Sequence, residues 1–183
     1  MSVIKVNTIQ NANGTTGITF AANGQMTLAN TPLQLTGGQI KFPSTKIPSA
    51  DANTLDDYEE GTWTPTAIGS STAGSTTYSN RVGTYTKIGN QVTATGFVAV
   101  SAMTGTNYLL LSLPFACNVS YSYFGSVYTY NLDWPSAGSI VAFAPANNAY
   151  IRIHVSVDNA IDQIVAVENA SWEANYTITY QVN

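Results

Sequence analysis

Charge is what this sequence has least of. Only 9% of its 183 residues are Asp, Glu, Lys or Arg, against about 25% in an ordinary soluble domain. Thr, Ser, Asn, Gly and Tyr take their place, so the surface is built from hydroxyls and amides that respond little to pH or salt. Such a surface suits an extracellular or particle-borne β-protein better than a cytosolic enzyme. Six basic residues against ten acids give a net charge of -4. That leaves no basic footprint, and no nucleic-acid partner is expected. A single cysteine, Cys117, excludes an internal disulfide. It lies in SLPFACN among apolar neighbours, with nothing beside it to lower its pKa, and reads as a buried thiol rather than a nucleophile. The opening MSVIKV has no long apolar segment, and no run approaches the ~20 residues of a membrane span. Neither an export signal nor an anchor is expected. A chain of this kind that works outside a cell would leave by lysis or on an assembled particle.

What the sequence does have is 44% apolar and 11% aromatic residues, enough to bury a core in one or two small domains. Nearly every periodic segment repeats at two. In AYIRIHVSV, Ile151, Ile153, Val155 and Val157 point one way and Tyr150, Arg152, His154 and Ser156 the other, the pattern of a half-buried strand. YTITYQV repeats it, with Tyr176, Ile178, Tyr180 and Val182 opposite Thr177, Thr179 and Gln181. Further strands are predicted at 82–88, 92–100, 108–113, 127–132 and 139–143, separated by Gly, Asn, Pro or Ser. This spacing predicts an antiparallel β-sandwich, jelly-roll-like, over 61–183. Only Asp158 to Glu168 could pass for a short helix, against its β-branched content.

The first 55 residues differ in kind and read as a stem of short hairpins. In PLQLTGGQIKF a two-residue Gly37-Gly38 turn would set Leu35 opposite Ile40 and Leu33 opposite Phe42. Upstream, a loop at Ala22-Asn23-Gly24 would set Phe20 against Met26 and Ile18 against Leu28. Ala-Asn-Gly also occurs at Ala12 to Gly14. Each hairpin offers one apolar face and too few partners to cover it, and a lone hairpin is marginal in water. Copies of the chain meeting at a threefold axis would cover these faces, so a homotrimer is expected.

Between stem and sandwich lies DDYEEGTWTPT, the acidic junction, 56–66. Asp51, Asp56, Asp57, Glu59 and Glu60 are half of the ten acids in the chain. Their order fails the calcium-loop pattern of alternating oxygens, central Gly and distal Glu, and no metal or other cofactor is expected. A solvated linker and cap is the better reading, with carboxylates accepting bonds from backbone N–H groups while Trp63 and Pro65 start the first strand.

NTLDDYEEGTWTPT, followed by YSNRVGTYTKIGNQVTATGFV and by Leu113-Pro114-Phe115, resembles a module of tail-fibre and other virion structural proteins of bacteriophages, notably marine ones. The opening IKVNTIQNANGTTGITF resembles the N-terminal segment of many such proteins. The resemblance implies an all-β, homotrimeric virion protein made in the host cytoplasm. Its N-terminal part, with Val3, Ile4, Lys5, Val6 and Ile9, would attach to another virion protein, and its C-terminal sandwich would face outward. A short tail fibre or adhesin contacting a host surface glycan or protein is the first expectation. A capsid decoration or tail accessory protein is the alternative.

No catalytic residue is expected. The one histidine, His154, sits on the polar face of a strand with no nucleophile-elbow pattern in the chain. Glycan cleavage by paired carboxylates is the enzyme alternative, but Asp133, Asp158, Asp162, Glu168 and Glu173 are scattered in sequence. Binding has better material. SYSYFGSVYTYNLDWPS packs Tyr121, Tyr123, Phe124, Tyr128, Tyr130 and Trp134 into fourteen residues. Tyr and Trp suit both sugar stacking and protein anchoring, although strand pairs such as Tyr121 with Tyr123, or Tyr128 with Tyr130, could equally fill a core or seam. Asp133 and Trp134, at a turn before Pro135, are the expected surface contacts. Sequons at Asn13, Asn118, Asn169 and Asn175 are expected by chance in this composition.

Overall fold

The computed structural model describes residues 8–10, 14, 16–20, 22, 26–28, 33, 35–51, 53–134, 138–158 and 163–183. The chain is all-β, with no helix among the described residues and therefore none long and apolar enough to cross a membrane. Its contacts divide it into two compact units, Met1–Lys41 and Phe42–Asn183.

The first unit is a small antiparallel sheet of β1 (Thr8–Gln10), β2 (Thr16–Phe20) and β3 (Met26–Leu28), in that order. Ile18 pairs with Leu28 and Phe20 with Met26, the register expected of that hairpin. Residues 23–25 of its loop lie outside the described residues, as do Val3, Ile4, Lys5 and Val6. The Gly37-Gly38 hairpin does not form. Residues 35–43 run without strand pairing, Gly37 sits at φ +73°, and Leu33, Leu35 and Ile40 are exposed. Two strands with no third neighbour bury too little to hold, and Pro43 removes a ladder donor at the end of the run.

The second unit is one curled ten-stranded sheet. Its elements are β4 (Tyr58–Trp63), β5 (Ala67–Gly69), β6 (Thr76–Ile88), β7 (Gln91–Met103), β8 (Leu109–Ser112), β9 (Tyr123–Tyr130), β10 (Gly138–Ala144), β11 (Tyr150–Val157), β12 (Gln163–Ile164) and β13 (Trp172–Gln181). The order is β4-β6-β7-β13-β9-β10-β11-β8-β5, with β12 beside β11. Of the short helix weighed for 158–168, residues 159–162, Asp162 among them, lie outside the described residues, and Gln163 and Ile164 form β12 instead, consistent with the β-branched Ile164. The two layers share β9: Ser126 to Tyr130 pair with β13, while Tyr123 to Gly125 pair with β10. Gly125 marks this changeover, because a Cβ there would run into the Thr177 carbonyl and Ile178.

Bulges explain why β6 and β7 run longer than their alternation suggests. Ser79 on β6 and Ser101 on β7 are each skipped in the ladder. Each hydroxyl instead bonds a backbone carbonyl of the partner strand, at Ala99 and Thr77 respectively. A bulge switches which residues face inward, so Tyr78 and Met103 point into the core out of phase with the residues beyond the bulges.

β13 forms the middle of the core. Trp172, Ala174, Tyr176, Ile178, Tyr180 and Val182 are buried and the residues between them exposed. Glycines on neighbouring strands make room for the rings. A Cβ at Gly96 would fall within the Tyr176 ring, one at Gly83 within Trp63 and one at Gly61 within Tyr85, and each glycine is paired in register with that residue. Tyrosine hydroxyls then cross to the opposite layer. Tyr176 donates to the Ser112 carbonyl at 2.7 Å, Tyr180 to the Phe115 carbonyl at 3.1 Å, and Tyr78 accepts the Ala67 N–H at 2.7 Å.

Filling the Gly96 space is expected to lower stability by about 1–3 kcal/mol in Gly96→Ala, as overpacking does. Tyr176→Phe, which keeps the ring, is expected to cost about 1 kcal/mol for the lost hydrogen bond, or up to about 3 if the Ser112 carbonyl is left unsatisfied. Urea denaturation of both variants beside the parent checks the order.

Candidate binding surface

The Tyr-rich stretch is divided by its own alternation. On β9, Tyr123 and Val127 turn inward and Phe124, Ser126, Tyr128 and Tyr130 outward. Tyr123 packs near Tyr180, with ring centroids 6.3 Å apart. Tyr121 precedes the strand and is exposed, as are Tyr128 and Tyr130. At the far end, Asp133 is exposed, but Trp134 is half-buried and packs against the core. The expected surface pair therefore contributes one surface residue rather than two.

Tyr128 and Tyr130 look out over a face the sequence reading did not single out, the outer side of β4-β6-β7-β13-β9. Register aligns Thr62, Thr84, Thr95, Thr177 and Ser126 in one row across the five strands. A parallel row holds Val82, Phe97, Asn175 and Tyr128. Thr95 and Thr177 share a hydrogen bond at 3.2 Å, as Thr93 and Thr179 do at 3.0 Å in the next row. Two hollows open on this face and share Thr95. The larger, ≈ 360 Å³, is lined by Thr95, Ser126, Val127, Tyr128, Asn175, Tyr176 and Thr177. The smaller, ≈ 100 Å³, is lined by Val82, Gly83, Thr84, Thr95 and Phe97. Both linings combine apolar or aromatic surface with neutral donors and acceptors, and among the described residues neither contains a charged side chain. The available signal was the recurrence of Thr-x-Thr at Thr62, Thr84, Thr93 and Thr177.

The outer side of the other layer carries an aromatic row instead. Phe124, Phe143 and His154 stack at centroid separations of 5.2 and 4.4 Å. Arg152 lies beside Tyr150, its guanidinium 5.7 Å from the ring centroid.

The junction acids are taken up by specific partners. β4 begins at Tyr58, five residues before Trp63, so Glu59 and Glu60 are themselves part of the sheet. Asp57 is buried and paired with Lys87, which corrects the reading of a uniformly solvated linker: it enters where β4 starts against the β6–β7 turn, and its carbonyl accepts the Gly89 N–H. Glu59 accepts the Tyr85 hydroxyl and Glu60 that of Tyr58. Asp56 accepts the Ser49 N–H at 3.0 Å, one of the backbone bonds expected of this region. Among the described residues no group of three or more His, Cys, Asp or Glu could hold a metal ion.

The groups with chemical potential are differently placed. Cys117 is fully buried, and burial pushes its thiol up to about 11. Asp133 and Glu168, far apart in sequence, are brought together, with the Asp133 backbone N–H donating to the Glu168 carboxylate at 2.6 Å. Burial raises the Glu168 carboxyl above its ordinary value, opposed by the Asp133 N–H bond to the carboxylate and reinforced by the Asp133 charge. Not all the acids are therefore scattered, as the sequence suggested.

The chain matches no protein-family model and no curated protein sequence. Its fold is similar to part of the crystal structure of Dettilon tailspike protein, with a TM-score of 0.56 and 19% sequence identity. The match covers 69% of this chain and 24% of that one, so it spans about a quarter of the tailspike's length.

Alkaline titration tests the junction geometry. The Glu59 carboxylate that accepts the Tyr85 hydroxyl holds the phenol's proton to about 12, above the ordinary value of about 10. An acid whose folded pKa is raised adds stability that is complete below its unfolded pKa and fades as pH climbs through the folded one. Tyr85→Phe is expected to soften the loss of stability between those values. Tyrosinate absorbance should lose one late-titrating phenol per chain.

Proposed function

We propose that this chain is a structural component of a phage tail, a short homotrimeric fibre that contacts the host surface through its curled sheet. The observation that carries the reading is the fold shared with part of a tailspike, and the resemblance of the junction and the opening segment to virion proteins points the same way. The small sheet supports assembly between copies, because Ile9 and Met26 are each 48% exposed and a three-stranded sheet alone gives them little to pack against. In this reading the N-terminal segment, Val3 to Ile9, holds the fibre to another virion protein. Tyr128 and Tyr130 face outward for recognition.

Gold-labelled antibody against residues 61–183, bound to intact particles, is expected to mark the tail. Label spread over the head would make the protein a capsid decoration, and no label on any particle would overturn the virion assignment. Light scattering at micromolar concentration is expected to give a trimer, and a monomer would remove the threefold model.

A second reading rests on Glu168 being drawn to the Asp133 backbone, which brings two acidic residues into one neighbourhood, since glycan cleavage needs a pair of carboxyl groups. For a fibre that only binds, incubation with host polysaccharide is expected to release no reducing ends. Reducing ends that appear with the parent and vanish in Glu168→Gln would make the protein a glycan-cleaving spike.

A further inference from the structure

We propose that the outer face of β4-β6-β7-β13-β9 is a saccharide-binding surface centred on Thr95, and that its ligand is a neutral glycan chain. The proposal deepens the host-contact reading and rests on it for its biological setting, though not for its chemistry.

The chemistry follows from two neighbouring rows. Neighbouring strands stand about 4.8 Å apart, and same-face residues along one strand about 6.8 Å apart. The Thr84-Thr95-Thr177-Ser126 row therefore runs alongside the row containing Phe97, Asn175 and Tyr128 at roughly the width of a sugar ring. A pyranose presents C–H surface on its faces and hydroxyls around its rim. Tyr128, 63% exposed, offers a flat apolar ring with a polar edge for the faces. The threonine hydroxyls and the Asn175 amide offer donors and acceptors for the rim. Two details indicate a prepared surface. The Thr95 and Thr177 hydroxyls already hold each other at 3.2 Å, which orients them before any ligand arrives, and each keeps further hydrogen-bonding capacity. The hollow of ≈ 360 Å³ lies directly beside them, bounded by Tyr128 and floored by β13.

Charge selects the class of glycan. Among the described residues no Lys or Arg lines either hollow, so an anionic polysaccharide would lose hydration there without gaining a counter-ion. Glu173, paired in register with Tyr130 on β13 and β9, adds repulsion near the same face. A neutral chain meets neither penalty. The two hollows flank Thr95, which suits consecutive units of a chain better than one isolated sugar.

The test is retention of the full chain on immobilised neutral polysaccharides (dextran, mannan and galactan) and on the polyanion alginate, with adhesion to host cells measured in parallel. Retention on at least one neutral polysaccharide is expected. Tyr128→Ala and Asn175→Ala should each weaken it about tenfold, the equivalent of roughly 1.4 kcal/mol. Tyr128→Phe, which keeps the stacking ring, should stay close to the parent. Ile68→Ser, exposed on β5 in the other layer, should leave retention unchanged, and circular dichroism verifies that each variant is folded. Retention on alginate alone, retention on nothing, or full retention by folded Tyr128→Ala would each overturn the proposal. Cell adhesion that survives Tyr128→Ala and Asn175→Ala overturns this surface and leaves host contact standing. A parent protein that does not adhere to cells, while its Tyr128-dependent glycan retention is intact, does the reverse.

Discussion

The layers of the large unit are held at their spacing by tyrosines that are apolar for most of their length and polar at the tip. Tyr176 and Tyr180 pass through the core from β13 and end on backbone carbonyls of Ser112 and Phe115 in and after β8. Tyr78 crosses from β6 to β5, where its hydroxyl accepts the Ala67 N–H and reaches the Ala67 carbonyl at 3.3 Å. A buried phenol without a partner would be costly, so each ring fixes the position of the backbone that satisfies it. Burial holds the Tyr176 and Tyr180 hydroxyls protonated far above the ordinary range, which keeps them as donors. The far edge of the curled sheet, β8 and β5, is thereby tied to a central strand with which it shares no ladder.

Rings of that size must be accommodated within a sheet. Glycine at positions 61, 83 and 96 supplies the space, each opposite an aromatic on the neighbouring strand. The rings opposite these glycines then lie inside, and the same strands turn a row of threonines outward. The threonine rows on the outer face are the reverse side of this arrangement. One alternation thus produces both an aliphatic core threaded by a few large aromatics and a hydroxylated exterior with shallow hollows, so the stability and the surface chemistry of the protein share an origin.

Legibility from sequence varied with how local the cause was. β11 and β13 were readable because a simple alternation runs their whole length. β6 and β7 were readable only in part, since bulges at Ser79 and Ser101 break the period without a distinctive residue to announce it. The Ile18 to Leu28 register was readable from loop length. The Gly37-Gly38 turn misled because a turn signal says that a chain can reverse, not that the arms find a third strand. Of the candidate surface, the outward set of the Tyr-rich stretch was half readable: alternation separates Tyr123 from Tyr128, but not which of them meets solvent.

What the sequence determined by itself is the character of the molecule: β throughout, low in charge, free of internal disulfides, with hydroxyls and aromatics at period two. Those properties are local, each set by a residue and its neighbours along one strand. Only the tertiary structure decided which strands lie side by side, and hence that Thr84, Thr95 and Thr177 form a row, that Asp133 meets Glu168, and that Asp57 is buried against Lys87. Ladder order and register depend on long-range packing around β13, which no single stretch of the chain encodes.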